Sequence, residues 1–234
     1  MSSKRLSKRF YKTVTVDERD GAWCILLDGM QLRTPGKLKL SVPTQALAEK
    51  IAAEWEAQTD RINPSLMPVT RLVNVAVEQT PARREDLVAE ALRYAQTDLL
   101  CYRAPQPRIL KERQSAAWNE WLEWGAEQGV LLNMTESLHA IEQPRESFEA
   151  IESFATSLDD LRLTLFVHLI AVYGSVILAM AFMRGQISAE AAFKISRVDA
   201  EYQIELWGED EEQADITAAL GEETKSLGEI LSTL

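Results

Sequence analysis

The sequence predicts an α+β protein: a small N-terminal β-rich unit packed on a larger, mainly helical body that carries one long buried helix. Three observations carry this expectation. Short strand-like runs, two of them alternating, fill the first forty positions, a helical period takes over at Pro43, and no formally charged side chain lies between Leu163 and Met183. The β-rich unit spans 1–42, or reaches about 80 if the first helices belong with it, and the helical body takes 43–234.

The pattern alternates at Phe10, Lys12, Val14 and Val16, the apolar run Trp23 to Leu27 follows, and Asp28-Gly29 leads into Met30 to Arg33. Asp-Gly between apolar runs signals a two-residue hairpin, because both central residues of a type I′ turn take positive φ. Leu38, Leu40 and Val42 add a further alternating strand. Leu47, Ile51 and Trp55 then fall four apart on a helix with Pro43 in its first turn, where no amide donor is needed. Helices follow at Pro68 to Val77 and from Thr80-Pro81 to about Leu99, the second with Leu87, Ala91 and Tyr94 or Ala95 inward.

Pro105 and Pro107 break the chain before a helix from Arg108 to Gln128, which ends at Gly129 and puts Trp118, Trp121, Leu122 and Gly125 on one face. Tryptophans at 118, 121 and 124 read as packing rather than as a ligand platform. Leu158 to Arg184 reads as a single long helix closed by Gly185, and Ser188 caps the next, which runs to Trp207-Gly208. After the acidic joint from Glu209 to Glu212, Asp215 to Leu234 forms a last helix, frayed by Gly221 and Gly228.

With 234 residues, 46% hydrophobic, the chain can bury a core without disulfides or metal, which excludes disorder, collagen and small secreted scaffolds. Its 25 Lys+Arg against 36 Asp+Glu leave a net charge of −11, which repels a phosphate backbone, so no nucleic-acid partner is expected. The charge is uneven. The first forty residues hold nine Lys+Arg and four Asp+Glu, whereas Asp199 to Leu234 holds eleven acids and Lys225 alone. Cys24 and Cys101 lack metal-ligand spacing and read as reduced thiols. The start holds Lys4, Arg5, Lys8, Arg9 and Lys12 but no apolar signal core, and too little chain precedes the first strand for a removable leader. Bacterial cytoplasm is therefore the expected home, where the sequon Asn133-Met134-Thr135 carries no meaning.

No constellation for chemistry emerges. His168 reads as a core histidine and His139 gives no signal, Gly36-Lys37 is followed by Leu38 rather than a phosphate-loop Ser or Thr, and no metal or cofactor is expected. Asp159 and Asp160 point about 100° apart on a helix and serve its N-terminus. The uncharged run from Leu163 to Met183 is long enough to span a bilayer, but His168, Gly174, Ser175 and the amphipathic flanks favour an interior post over membrane insertion. Two rival classes stay open: a small acidic enzyme with a carboxylate site, and a membrane-associated helical protein.

Arg9-Phe10-Tyr11-Lys12, Leu27-Asp28-Gly29 running into Leu32-Arg33-Thr34-Pro35, Val42-Pro43-Thr44 leading to Glu54-Trp55, Thr97 to Arg103, and Ser196-Arg197-Val198-Asp199 with Tyr202-Gln203 and Trp207-Gly208 share order and spacing with one family. The chain resembles a bacterial member of the assembly-chaperone family that binds the alpha subunit of the ATP synthase soluble head. The resemblance implies a monomeric holder of unassembled alpha subunit, which shields an apolar interface until the beta subunit replaces it and which hydrolyses nothing. It further implies that the functional stretch is Asp199 to Trp207, with Ala200 standing where many relatives carry a second acid. On a helix from Ala189 to Trp207, Ile195, Val198, Tyr202 and Leu206 form one packed stripe. That leaves Asp199, Glu201, Glu205 and Trp207 as the candidate partner-binding residues. Trp55 reads as part of its helix's core stripe, and Asp98 and Arg103 as an intramolecular pair bracketing a helix end.

Overall fold

The computed structural model describes residues 6–137 and 139–234, so Lys4 and Arg5 of the basic start lie outside the described residues. The chain divides into two units, one formed by 1–82 with 229–234 and the other by 83–228.

In the first unit, β1 (Val14–Arg19), β2 (Ala22–Leu27), β3 (Met30–Gln31) and β4 (Ser41–Val42) make one antiparallel sheet. β2 pairs with β1 along its length, with β3 at Leu26 and Leu27, and with β4 at Trp23 and Cys24. Two Asp-Gly turns shape it. Asp28-Gly29 (φ 49° and 80°) joins β2 to β3 as the sequence predicts, and Asp20-Gly21 (φ 54° and 77°) joins β1 to β2 with the same left-handed pair. The strand expected over Leu38, Leu40 and Val42 is shorter, because a turn at Thr34 to Lys37, with Lys37 at φ 70°, leaves only the Arg33–Lys39 bridge ahead of β4.

Helices α1 (Gln45–Glu56) and α2 (Pro68–Glu78) complete this unit. Thr44 caps α1 through its hydroxyl, which accepts the Leu47 amide, so Pro43 sits before the helix rather than in its first turn. Leu47 and Ile51 are fully buried with Ile25 and Leu40. α2 has no side-chain cap of its own. Glu54 of α1 supplies one, its carboxylate accepting from Val69 N at 2.8 Å, Thr70 N at 2.7 Å and Thr70 Oγ1 at 2.6 Å.

α3 (Thr80–Gln96) contains one non-helical residue, Arg83 (φ −127°, ψ 18°), where the second unit begins. The remaining helices are α4 (Arg108–Glu127), α5 (Arg145–Ser157), α6 (Asp160–Tyr173), α7 (Val176–Met183), α8 (Ala189–Ser196), α9 (Val198–Trp207) and α10 (Glu211–Leu231). The single long helix expected from Leu158 to Arg184 is two, α6 and α7, divided at Gly174 (φ 65°) and Ser175. The cause is Asp98. Its carboxylate, buried without exposure, accepts from Val176 N at 2.7 Å, Ser175 Oγ at 3.1 Å and Leu100 N at 3.0 Å, so a fresh N-terminus forms where an unbroken helix would leave that charge unanswered.

The run is otherwise a core post, with Leu163, Phe166, Ile170, Val176 and Leu178 fully buried, and no helix among the described residues is long and apolar enough to cross a membrane. His168 departs from the buried reading: its side chain is about a third exposed, with Nε2 3.8 Å from Glu223 Oε1. Asp159 caps α6 by accepting the Arg162 amide, and Asp160 pairs with Arg84 at 2.5 Å. α10 begins at Glu211 and runs past Gly221 and Gly228 without fraying. A Cβ on Gly228 would collide with that of Ala189, so this glycine permits close helix packing.

Candidate docking surface on the acidic helix

The expected helix from Ala189 to Trp207 is also two, broken at Arg197 (φ −100°, ψ 5°). At the break the carbonyl of Ile195 accepts the indole N–H of Trp118 at 2.9 Å, which holds the end of α8 against fully buried Trp118 on α4. The tryptophan run therefore packs at Trp118, while Trp121 and Trp124 are half-buried.

The restart at Val198 resets the face of α9. Tyr202 is buried as predicted, but Leu206, expected on the same packed stripe and one turn further along the same helix, is exposed, because the last turn of α9, Gln203 to Trp207, stands open. Arg113 and Gln114 of α4 meet α9 at two acids. Gln114, itself buried, donates Nε2 to Asp199 Oδ1 at 2.7 Å and accepts the Ala104 amide on its own carbonyl. Arg113 pairs with Glu205 at 2.8 Å and lies over the Tyr202 ring at 5.5 Å. That hydrogen bond holds the Glu205 carboxyl below its ordinary range and raises the Arg113 guanidinium.

The four candidates thus differ. Asp199 is half-buried and braced, Glu205 is exposed but braced, and Glu201 is exposed, its carboxylate making no hydrogen bond or ion pair among the described residues. Trp207 is 78% exposed, beside Leu206 at 55%. Beyond Gly208 (φ 87°), Asp210 caps α10 by accepting the Gln213 amide at 3.0 Å. The corner between α9 and α10 encloses a groove of about 430 Å³ lined by Ala200, Ile204, Trp207 and Ala214, with Glu209 and Asp210 at its edge. Sequence reasoning missed this groove, since it exists only once α10 returns alongside α9. The adjacent run of acids and Trp207 was its one linear signal.

The remaining candidates lie elsewhere. Asp98 and Arg103 do not pair: Asp98 caps α7, while Arg103 donates Nε to Leu100 O at 2.9 Å and Nη2 to Asn119 Oδ1 at 3.0 Å and lies over the Trp118 ring. Burial lowers Arg103, against the pull of Cys101 and Asp199. Trp55 belongs to the first unit, half-buried, its ring 5.5 Å from that of Tyr11, whose hydroxyl donates to the Trp55 carbonyl. Both cysteines are free and buried, and burial followed by the charge of Asp98 pushes the Cys101 thiol up, away from reactivity. Among the described residues no group of three or more His, Cys, Asp or Glu could hold a metal ion.

Comparison with known proteins gives four relevant findings. The profile of a family described as ATP12 chaperone protein matches residues 8–126. The mitochondrial protein atp12 of Schizosaccharomyces pombe is 25% identical over 222 residues, 89% of this chain and 76% of its own length. The crystal structure of Atp12 from Paracoccus denitrificans superposes with a TM-score of 0.89 at 36% identity, covering 97% of this chain and 98% of that one. A protein of known structure from Agrobacterium tumefaciens gives 0.91 at 36% identity over 97% and 86% of the two chains.

Proposed function

The chain belongs to the ATP12 chaperone family, and from that membership we propose that it holds the unassembled alpha subunit of the ATP synthase soluble head until the beta subunit displaces it. The observation that supports this reading is the open surface of α9, where exposed Trp207 lines a groove edged by further acids and Glu201 stands exposed on the same helix. An apolar anchor beside a charged rim is the composition of a protein interface rather than of a reaction centre. Asp199 and Glu205 set the helix against α4 so that Glu201 and Trp207 present outward. On this reading the chain binds and releases and performs no hydrolysis.

Purified alpha subunit, diluted into aggregating conditions, provides the test. Wild-type protein suppresses light scattering, and equimolar beta subunit releases the client. Glu201→Lys and Trp207→Ala, both at exposed positions, leave the thermal melt within about 2 °C of wild type and weaken protection several-fold. Full protection by both variants would remove this surface from the interface.

A further inference from the structure

The first unit contains a pocket of about 560 Å³ that the α9 surface does not use. Buried Leu32 and Met67 line it, with Ile62 and Trp55, and Phe10 and Met30 join the lining while remaining 66% and 69% exposed. Large apolar side chains held this open around a concave site mark a place where something else packs. The Trp55 indole supplies a second sign, since its Nε1–H is buried with no acceptor among the described residues. A third is charge. Arg33 lines the pocket and is followed by Lys37 and Lys39, all three exposed and none paired with a carboxylate among the described residues; Arg33 donates only to the Lys37 carbonyl, at 2.8 Å.

We propose that this pocket is a second client-holding point, which receives an extended segment of the unassembled subunit bearing a bulky apolar side chain next to a carboxylate. The apolar side chain enters beside Phe10 and Met30, the Trp55 ring shifts so that a backbone carbonyl of the segment accepts its N–H, now buried, and the carboxylate meets Arg33. A fatty acid fits less well. It has one polar end, whereas the pocket asks for an acceptor both at the buried indole and at the exposed guanidinium. The proposal rests on the chaperone reading only for the identity of the segment's owner.

The probes are the acetylated, amidated pentapeptide Asp-Gly-Phe-Gly-Asp, its counterparts with Lys at both ends or Ala at the centre, and decanoate. Each is titrated into full-length protein with ¹⁵N-labelled tryptophan, the Trp55 indole signal being identified by its loss in Trp55→Phe. The acidic Phe peptide moves that signal downfield and saturably, while the Lys and Ala peptides leave it in place. Met30→Glu and Arg33→Glu each weaken binding by about tenfold. The double variant also protects alpha subunit less well. An unmoved indole signal, a signal moved by decanoate but not by peptide, or undiminished protection by the double variant overturns the proposal. If the double variant protects fully while Glu201→Lys does not, the pocket falls and the chaperone reading stands. If wild type itself fails to protect alpha subunit, that reading falls and this proposal with it, whatever the pocket binds.

Discussion

At Asp98 a carboxylate with no exposed surface accepts from three backbone amides and a hydroxyl, yet burial outweighs those donors and pushes its pKa up to about 6. An acid raised in this way contributes stability that is complete below its unfolded pKa near 3.8 and is lost as pH rises through about 6. Comparing wild type with Asp98→Asn by denaturant titration should therefore show the wild type's relative stability falling by about 2–3 kcal/mol from pH 4 to pH 7. Asp98→Ala, which strands the amides of Leu100 and Val176, should cost about 2–4 kcal/mol at pH 7. Asp199 and Glu201, two residues apart, make a sharper contrast. Asp199→Lys loses the bond from Gln114 and sets a cation near Arg103, so it should lower stability by about 1–2 kcal/mol as well as weaken client capture. Glu201→Lys should change capture alone, which a thermal melt run beside the aggregation assay would separate. The sequence placed all four α9 candidates on one stretch, but not which of them are braced, because Arg113 and Gln114 are brought there by folding.

Most helices and the second Asp-Gly turn were legible as elements, since period and turn chemistry are local properties, but α5 (Arg145–Ser157) was not among the helices expected. Their interruptions were not. Ser175 takes its partner Asp98 from 77 residues away, and Ile195 takes Trp118 from the same separation, so neither break leaves a mark in the local pattern. Gly174 and Ser175 were the nearby hints, and in the sequence they read as marks of an interior post rather than of a helix end. The same reasoning applies to Glu54, which looks like a polar position beside the stripe of α1 and is in fact the cap of α2. Glu54→Ala should destabilise the protein by about 2–3 kcal/mol, with the Val69 and Thr70 amides losing hydrogen-exchange protection before those of α1.

Taken whole, the molecule separates its charge by unit. The first unit carries 12 Lys+Arg against 10 Asp+Glu, a net +2, and the second 13 against 26, a net −13. If the acids of the second unit steer the client, the rate of alpha-subunit capture should fall several-fold between 50 mM and 500 mM salt, as screening shortens the reach of the field. A rate independent of salt, measured by stopped-flow scattering, would reduce this charge to solvation.

Residues 229–234 belong with the first unit: Ile230 is fully buried, Lys50 pairs with Glu229, and Thr44 Oγ1 donates to the Thr233 carbonyl at 2.5 Å. A protein made from its N-terminus therefore finishes its opening unit last. The sheet and α1 leave the ribosome early and wait, with a side of their core uncovered, while the whole second unit is translated. A chaperone of assembly thus begins life as an unfinished surface of its own, and a ribosome stalled before residue 229 should leave a nascent chain whose first unit is cut by protease while that of the released chain resists.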